Sequence, residues 1–287
     1  MHPLVTPFFD DATSTFSYVV RDPASASCAI IDAVLDFEYA GGTISTRSAD
    51  ALLAHIAQHR LQPEWILETH VHADHLSAAA YLRRQTGARL GIGAQITAVQ
   101  NIFGERFNAG PDFATDGSQF DALFEDGDTI TIGTLTGRAM HTPGHTPACL
   151  TYVFGDAAFV GDTLFMPDYG SARCDFPGGD AASLYRSVQR IFALPNDTRL
   201  FMCHDYKGPD RDHYQHQSSV EEQRRHNVHL RQGITQDEFV RLRRERDSTL
   251  PAPRLLLPSI QVNMRAGELP PAENNDQVYL KVPVNRF

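Results

Sequence analysis

The sequence predicts a mixed α/β (α+β) protein with a helical and extended C-terminal tail, and three observations support this fold class. Strand and helix patterns alternate in the first half of the chain. In the second half, short apolar runs are each followed closely by a histidine or an aspartate. Polar helical patterns and then prolines fill the last part. We expect one domain over 1–287, with a core of about 10–210 and an extension of about 211–287 packed on it.

The predicted fold opens with two β-branched and apolar runs. They cover 15–20 and 28–34, and the turn signal Arg21-Asp22-Pro23 between them predicts a hairpin. Ser48 can cap a helix through about Gln58, because the apolar residues of that stretch recur on one face.

The next strand-to-helix junction carries the densest group of ionisable residues. A short buried strand is predicted over 65–68 and a helix over 76–85. Between them lies Thr-His-Val-His-Ala-Asp-His at 69–75. Because alternate side chains of an extended segment share a face, His70 and His72 should project to the same side. That arrangement suits two imidazoles on one cation.

The connection over 88–129 is long enough to predict an insertion with a short helix over 94–103. It could form a subunit contact or reshape a pocket. Later strands are expected over 129–135, 149–154, 158–160 and 199–203. Asp180 is a candidate cap for a helix over 181–192.

The C-terminal part predicts two polar helices and an irregular tail. The helices are expected near 219–230 and from the capping box Thr235-Gln-Asp-Glu238 to about Arg246. Prolines follow at positions 251, 253, 258, 270, 271 and 283. Because proline interrupts backbone hydrogen bonding, we expect this tail to wrap the body as an extended lid without regular structure.

Charge and composition exclude several classes of partner. The formal net charge of −10 disfavours nucleic acid, and the arginines near 224 and 241–246 alternate with acids as on a solvated face. With no secretory signal or membrane span in the pattern, we expect a soluble cytoplasmic protein. The four cysteines form no CxxC pair, so we interpret them as free thiols.

Strong metal-ligand types recur after the predicted strands. His145 lies in His141-Thr-Pro-Gly-His145, Asp162 follows Gly161, and His204 follows Cys203. A chance surface cluster would not place such residues at the end of one strand after another. The pattern therefore predicts a metal site.

The motifs THVHADH, TPGHT, GDTLF and CHDY, in this order, resemble the metallo-β-lactamase superfamily across about 10–210. The resemblance implies an αββα sandwich with the metal site at one edge. In the hydrolase branch, one metal would be held by His70, His72 and His145. A second would be held by Asp74, His75 and His204, with Asp162 bridging. Because the chain has all seven residues, a binuclear site stays open.

Further segments resemble the narrower branch of sulfur dioxygenases, which oxidise glutathione persulfide. They lie at 70–75, 170–176, 204–208, 222–227 and 257–263. This resemblance implies one Fe(II) per chain, held by His70, His145 and Asp162, a facial triad that leaves coordination positions open. His72, Asp74, His75 and His204 would then orient water and the ligating imidazoles.

The implied activity is an Fe(II)-dependent persulfide dioxygenase, converting glutathione persulfide and O2 into sulfite and glutathione. We expect Tyr206, His72 and Asp74 to be catalytic, and Arg173 and Tyr206 to bind substrate. An internal ion pair of Arg173 with Asp175 or Asp168 is an equal alternative. Cys174 is interpreted as an incidental buried cysteine rather than a catalytic thiol.

Two other functions are weighed against this one. A binuclear zinc thioester or lactone hydrolase of the glyoxalase II type would need two zinc ions. This hydrolase function is disfavoured because the sequence pattern shows no separate C-terminal helical domain of the kind that such thioesterases use to bind glutathione. A metal-holding protein without catalysis is disfavoured by the intact ligand set. Expected partners include a second copy of the chain, and any sulfurtransferase would be a separate chain.

Overall fold

Two six-stranded sheets pack face to face in the computed structural model, which describes residues 2–286. The strands are β1 (Leu4–Asp10), β2 (Thr15–Arg21), β3 (Ser27–Ile31), β4 (Val34–Glu38), β5 (Thr43–Ser45), β6 (Gln62–Leu67), β7 (Leu76–Ser77), β8 (Arg89–Gly93), β9 (Ala122–Phe124), β10 (Thr129–Ile132), β11 (Leu135–His141), β12 (Leu150–Phe154), β13 (Ala157–Phe159), β14 (Arg199–Phe201) and β15 (Gln217–Ser219). The first sheet has the order β1-β2-β3-β6-β8-β9 and the second runs from β10 to β15 in sequence order. A small sheet, β5-β4-β7, flanks them.

Helices cover the outer faces of both sheets. They are α1 (Arg47–Gln58), α2 (Ala79–Thr86), α3 (Ile96–Arg106), α4 (Ala181–Phe192), α5 (Val220–His226), α6 (Gln236–Asp247) and α7 (Leu256–Asn263). The side chains of α1, α2, α3 and α7 join one apolar core with the first sheet, and those of α4 and α6 join another with the second. A third core lies between the sheets. The expected αββα sandwich is therefore confirmed.

Successive side chains of a strand alternate between the two faces of the sheet, so one strand contributes side chains to two cores. Tyr18 and Val20 of β2 enter the core between the sheets, whereas Val19 faces the helices. Because neighbouring side chains of a strand point to opposite faces, strands buried on both sides have continuous apolar sequences. Residues 18–20, Tyr-Val-Val, show that pattern.

Several predicted elements are confirmed at their ends. Helix α4 covers Ala181–Phe192, and the Asp180 carboxylate accepts a hydrogen bond from the Ser183 N–H at 2.7 Å. At the start of α6, Thr235 and Glu238 form the predicted capping box. Both helices begin where a side-chain oxygen satisfies an N–H group that has no partner inside the helix.

Other predicted elements are wrong in extent. The run over 129–135 forms two strands, because Gly133 adopts a positive φ of 58° and allows a two-residue hairpin between Ile132 and Leu135. Helix α2 begins at Ala79, three residues after the predicted start, because Leu76–Ser77 pairs with β4. The N-terminal strand β1 was not predicted at all.

The tail and the connection over 88–129 also differ from expectation. Helix α7 forms in the tail because Pro258 is its third residue, where the missing N–H would have no partner within the helix. The connection supplies β8 and β9 to the first sheet in addition to α3, so much of it belongs to the sandwich. Among residues 2–286, no helix combines the length and apolar character needed to cross a bilayer.

Candidate metal centre

The seven predicted ligands converge at one edge of the sandwich, where the strands deliver them. The segment that follows β6 contributes the 70–75 cluster, and the turn between β11 and β12 contributes His145. Asp162 follows β13 and His204 follows β14. Since β3 and β6 are parallel, as are β13 and β14, loops after their carboxyl ends open on the same edge.

His70, His145 and Asp162 form the first group. The Asp162 Oδ2 atom lies 3.8 Å from His70 Nε2 and 3.7 Å from His145 Nε2. All three side chains are buried, and they meet as a set that could hold a metal ion. Two imidazoles and a carboxylate match the predicted triad.

His72, Asp74, His75 and His204 form a second group beside the first. The Asp74 Oδ2 atom lies 3.1 Å from His204 Nε2. The other oxygen of Asp162, Oδ1, lies 3.4 Å from the same nitrogen, so this carboxylate stands between the two groups. The geometry accommodates either one or two metal ions.

Buried atoms without partners show that this shell suits a cation. Within residues 2–286, His72 Nδ1, His75 Nε2, Asp162 Oδ1 and His204 Nε2 are buried and accept or donate no hydrogen bond. Buried polar atoms are normally hydrogen-bonded, so four unpaired ones at one point need another partner. Imidazole nitrogen and carboxylate oxygen are ligands for iron and for zinc. The residues therefore fit a metal cofactor.

Hydrogen bonds behind the histidines fix which nitrogen faces the centre. Thr69 Oγ1 donates to Asp32 Oδ2 at 2.8 Å, so it accepts from His70 Nδ1–H at 3.0 Å and leaves His70 Nε2 free for a metal. His145 Nδ1–H donates to the Arg173 carbonyl at 2.8 Å. Such partners set the tautomer and ring orientation of metal-binding histidines.

His72 presents its other ring nitrogen, Nδ1, to the centre. Its Nε2–H donates to Asp32 Oδ1 at 3.1 Å and lies 3.3 Å from Glu68 Oε2, which turns Nδ1 toward the other imidazoles. Burial alone would lower the pKa of His72, but these two carboxylates outweigh it and raise the pKa. For His70, burial and the neighbouring imidazoles lower the pKa, which keeps the ring neutral, as a ligand must be.

A cavity of about 470 Å³ leads from the surface to this centre. Asp74, His145 and Asp162 line its floor, and aromatic rings, including Tyr169 and Tyr206, line its wall. The Tyr206 ring stacks on His204, with centroids 5.8 Å apart and an interplanar angle of 13°. A volume of this size accommodates a small peptide or drug-sized molecule.

Arg173 also lines the cavity, but an acid already engages it. Its Nε and Nη2 atoms donate to the two oxygens of Asp175 at 2.6 and 2.7 Å, and Nη1 donates to the Pro251 carbonyl at 2.7 Å. The ion pair that the sequence left open is thus formed with Asp175, whereas Asp168 pairs with Arg211. A substrate-binding role for Arg173 stays a prediction. Cys174 is buried, and burial raises its thiol pKa, in keeping with an unreactive cysteine.

Sequence reasoning missed three residues that hold the site together. Asp32 and Glu68 are the buried acids behind His72. Asn263 of α7 donates from Nδ2 to the carbonyls of His72 and His75, both at 2.8 Å, and its Oδ1 accepts from Ser77 N–H at 2.7 Å. The sequence carries a signal for Asp32, because it is a charged residue directly after the apolar run over 28–31, within the strand predicted over 28–34.

A family model described as the metallo-β-lactamase superfamily matches residues 10–204 of the chain. The sandwich, the edge location of the site and this match agree. The protein therefore belongs to the metallo-β-lactamase superfamily, and the predicted resemblance to that superfamily is confirmed.

Individual relatives carry different names. A probable metallo-hydrolase of Burkholderia pseudomallei is 56% identical over 98% of this chain and 99% of its own length. Glyoxylase B2 of Dictyostelium discoideum is 48% identical over 98% of this chain and 96% of its own length. Human mitochondrial persulfide dioxygenase ETHE1 is 32% identical over 92% of this chain and 89% of its own length.

The resemblance extends to a solved structure. ETHE1 from Myxococcus xanthus superposes with a TM-score of 0.74 at 29% identity, covering 92% of this chain and 100% of that chain. Relatives of the persulfide dioxygenase branch are thus found by sequence and by structure. Together with the His/Asp cluster, they indicate a metal-dependent enzyme.

Proposed function

We propose that this protein is an Fe(II)-dependent persulfide dioxygenase that converts glutathione persulfide, O2 and water into glutathione and sulfite. The observation that carries the proposal is the convergence of His70, His145 and Asp162 in one buried group, of which His145 and Asp162 line the floor of the cavity. This set is the facial triad of non-haem iron oxygenases, which leaves positions for two reactants at one metal. The relatives named as ETHE1 support the same activity.

The protein's own residues would position the reactants and restrict water. Bound ferrous iron would supply the redox chemistry that joins O2 to sulfur. The cavity wall, with Phe165 and Tyr169, shields the floor, and holding both reactants there raises their effective concentration. Asp74 and Tyr206 line the cavity and would contact substrate, while His72, fixed by Asp32, would orient the neighbouring groups.

The test is metal content after anaerobic purification, combined with oxygen consumption on addition of glutathione persulfide. We expect about one iron per chain and one sulfite released per O2 consumed. Asp162→Asn should lose both iron and oxygen uptake, because it removes the carboxylate of the triad. Asp168→Asn is the matched control, since this acid pairs with Arg211 and belongs to neither ligand group. Iron-loaded protein without oxygen uptake on persulfide would refute the proposal.

A binuclear zinc hydrolase is the second candidate function. The observation that favours it is the complete second group, His72, Asp74, His75 and His204, with Asp162 between the two groups. The relative named glyoxylase B2 points the same way. Two zinc ions per chain, with hydrolysis of a glutathione thioester and no oxygen uptake, would establish it.

A further inference from the structure

The charged side chains that line the cavity are two carboxylates and four arginine guanidinium groups. Its carboxylates, Asp74 and Asp162, lie at the floor among the metal-binding histidines. The cations on its walls are all arginines, namely Arg173, Arg243, Arg246 and Arg254. Since the protein as a whole has a formal net charge of −10, this concentration of positive charge is a local property of the cavity.

Two of the four arginines are neutralised by acids of their own. Arg173 forms the two-pronged ion pair with Asp175. Arg243 is 1% exposed and pairs with Asp247, 6% exposed, through Nη2 and Oδ1 at 2.5 Å. A guanidinium that is already paired gains little from a second anion, so these two arginines contribute little net charge.

Arg246 and Arg254 differ from that pair. Both are exposed, and neither has an acidic side chain within ion-pair distance in the described part of the chain. Arg246 lies in the last turn of α6, with its guanidinium carbon 5.8 Å from the Tyr169 ring centroid. Arg254 comes from the segment between α6 and α7 that borders the cavity. The cavity lining therefore includes two arginines that are not neutralised by an acidic side chain.

We propose that Arg246 and Arg254 form an anion subsite that binds the carboxylates of the molecule carrying the persulfide, while its terminal sulfur lies at the cavity floor. This inference rests on the proposed function and adds to it the residues that would bind the carboxylates of the substrate. The guanidinium group matches a carboxylate with two parallel hydrogen bonds. The cavity of about 470 Å³ has room for such a molecule.

The subsite predicts a charge-dependent effect on substrate affinity. In the double variant Arg246→Gln/Arg254→Gln, KM for glutathione persulfide should rise about tenfold with kcat unchanged, as expected for two partly exposed charge-assisted contacts. KM for the persulfide of glutathione diethyl ester, which has no carboxylate, should not change. The difference between the two substrates should shrink at high salt, because exposed charges are screened.

The matched control is Arg244→Gln. Arg244 is an exposed arginine of the same helix that does not line this cavity, so both KM values should stay at wild-type levels. Thermal unfolding of all variants checks that the fold is intact. The proposal is overturned if the double variant raises KM equally for both substrates, or for neither.

A binding measurement separates this inference from the proposed function. Calorimetric titration of metal-loaded protein with glutathione, without O2, should show about tenfold weaker binding in the double variant, and the diethyl ester should bind both proteins equally. If wild type binds glutathione in this way but consumes no oxygen, the subsite stands and the dioxygenase proposal fails. If wild type consumes oxygen normally and the double variant matches it in both assays, the subsite fails alone.

Discussion

Replacing Asp247 with alanine should be among the most destabilising single changes outside the metal ligands. Asp247 pairs with Arg243, which is 1% exposed, and its second oxygen accepts the Cys174 N–H at 2.8 Å. Arg243 in turn donates to the Ser171 carbonyl at 3.0 Å. The substitution leaves a buried guanidinium without its counter-ion and a backbone N–H without an acceptor. Breaking a buried pair in this way costs about 3–5 kcal/mol.

The consequence reaches the metal centre through the backbone. Cys174 follows Arg173, whose carbonyl accepts the Nδ1–H of His145. If the segment shifts, His145 loses the group that orients it, so metal affinity should fall along with stability. We expect both effects from Asp247→Ala.

Urea unfolding of chelator-treated protein measures the stability effect, and competition with a metal chelator measures affinity. The double variant Arg243→Met/Asp247→Leu should recover much of the lost stability, because apolar residues of similar volume replace a buried pair at little cost. Glu245→Ala, an exposed change in the same helix, should stay within about 0.5 kcal/mol of wild type. A cost below about 1 kcal/mol for Asp247→Ala would refute the reasoning.

Three further predictions follow from contacts elsewhere. Burial and two arginine charges lower the pKa of His229 to about 4, so the folded state binds fewer protons than the unfolded state between about pH 6.5 and 4. Stability should therefore fall by up to about 3 kcal/mol as the pH drops through that window, and His229→Gln should remove this part of the slope in urea unfolding. The same pH dependence of the unfolding free energy in wild type and in His229→Gln would contradict this prediction. Asn263→Ala removes the donors to the His72 and His75 carbonyls and should weaken metal binding by about tenfold or more in chelator competition, whereas the exposed Asn275→Ala should not. Thr235→Ala removes the capping box of α6 and should cost about 1 kcal/mol in unfolding free energy, most of which Thr235→Ser should restore.

The grouping of the candidate ligands could be predicted because these residues lie in short motifs at strand ends. His70, His145 and Asp162 each follow or lie within a recognisable local pattern, and the structure brings them together. Helix α4 was predictable to the residue for a similar reason, since both its cap and its apolar face are local features. The sandwich itself came from the family resemblance rather than from the pattern of single elements.

What could not be predicted depends on contacts between distant segments. Asp32 and Glu68 support His72 only because β3 and β6 lie side by side. Nothing local to residues 76–77 shows that they pair with β4 instead of starting a helix. The prolines of the tail predict irregular structure there. Pro258 nevertheless occupies a position in the first turn of α7, which tolerates proline.

The position of Asn263 has a consequence for the order in which the protein is made. Its amide holds carbonyls of residues that precede it by 191 and 188 positions. A ribosome releases the chain from its N-terminus, so the histidine loop emerges long before the amide that secures it. Until α7 has been synthesised and docked, that loop lacks these restraints. The complete geometry of the histidine loop is therefore reached only after the C-terminal part of the chain has been synthesised.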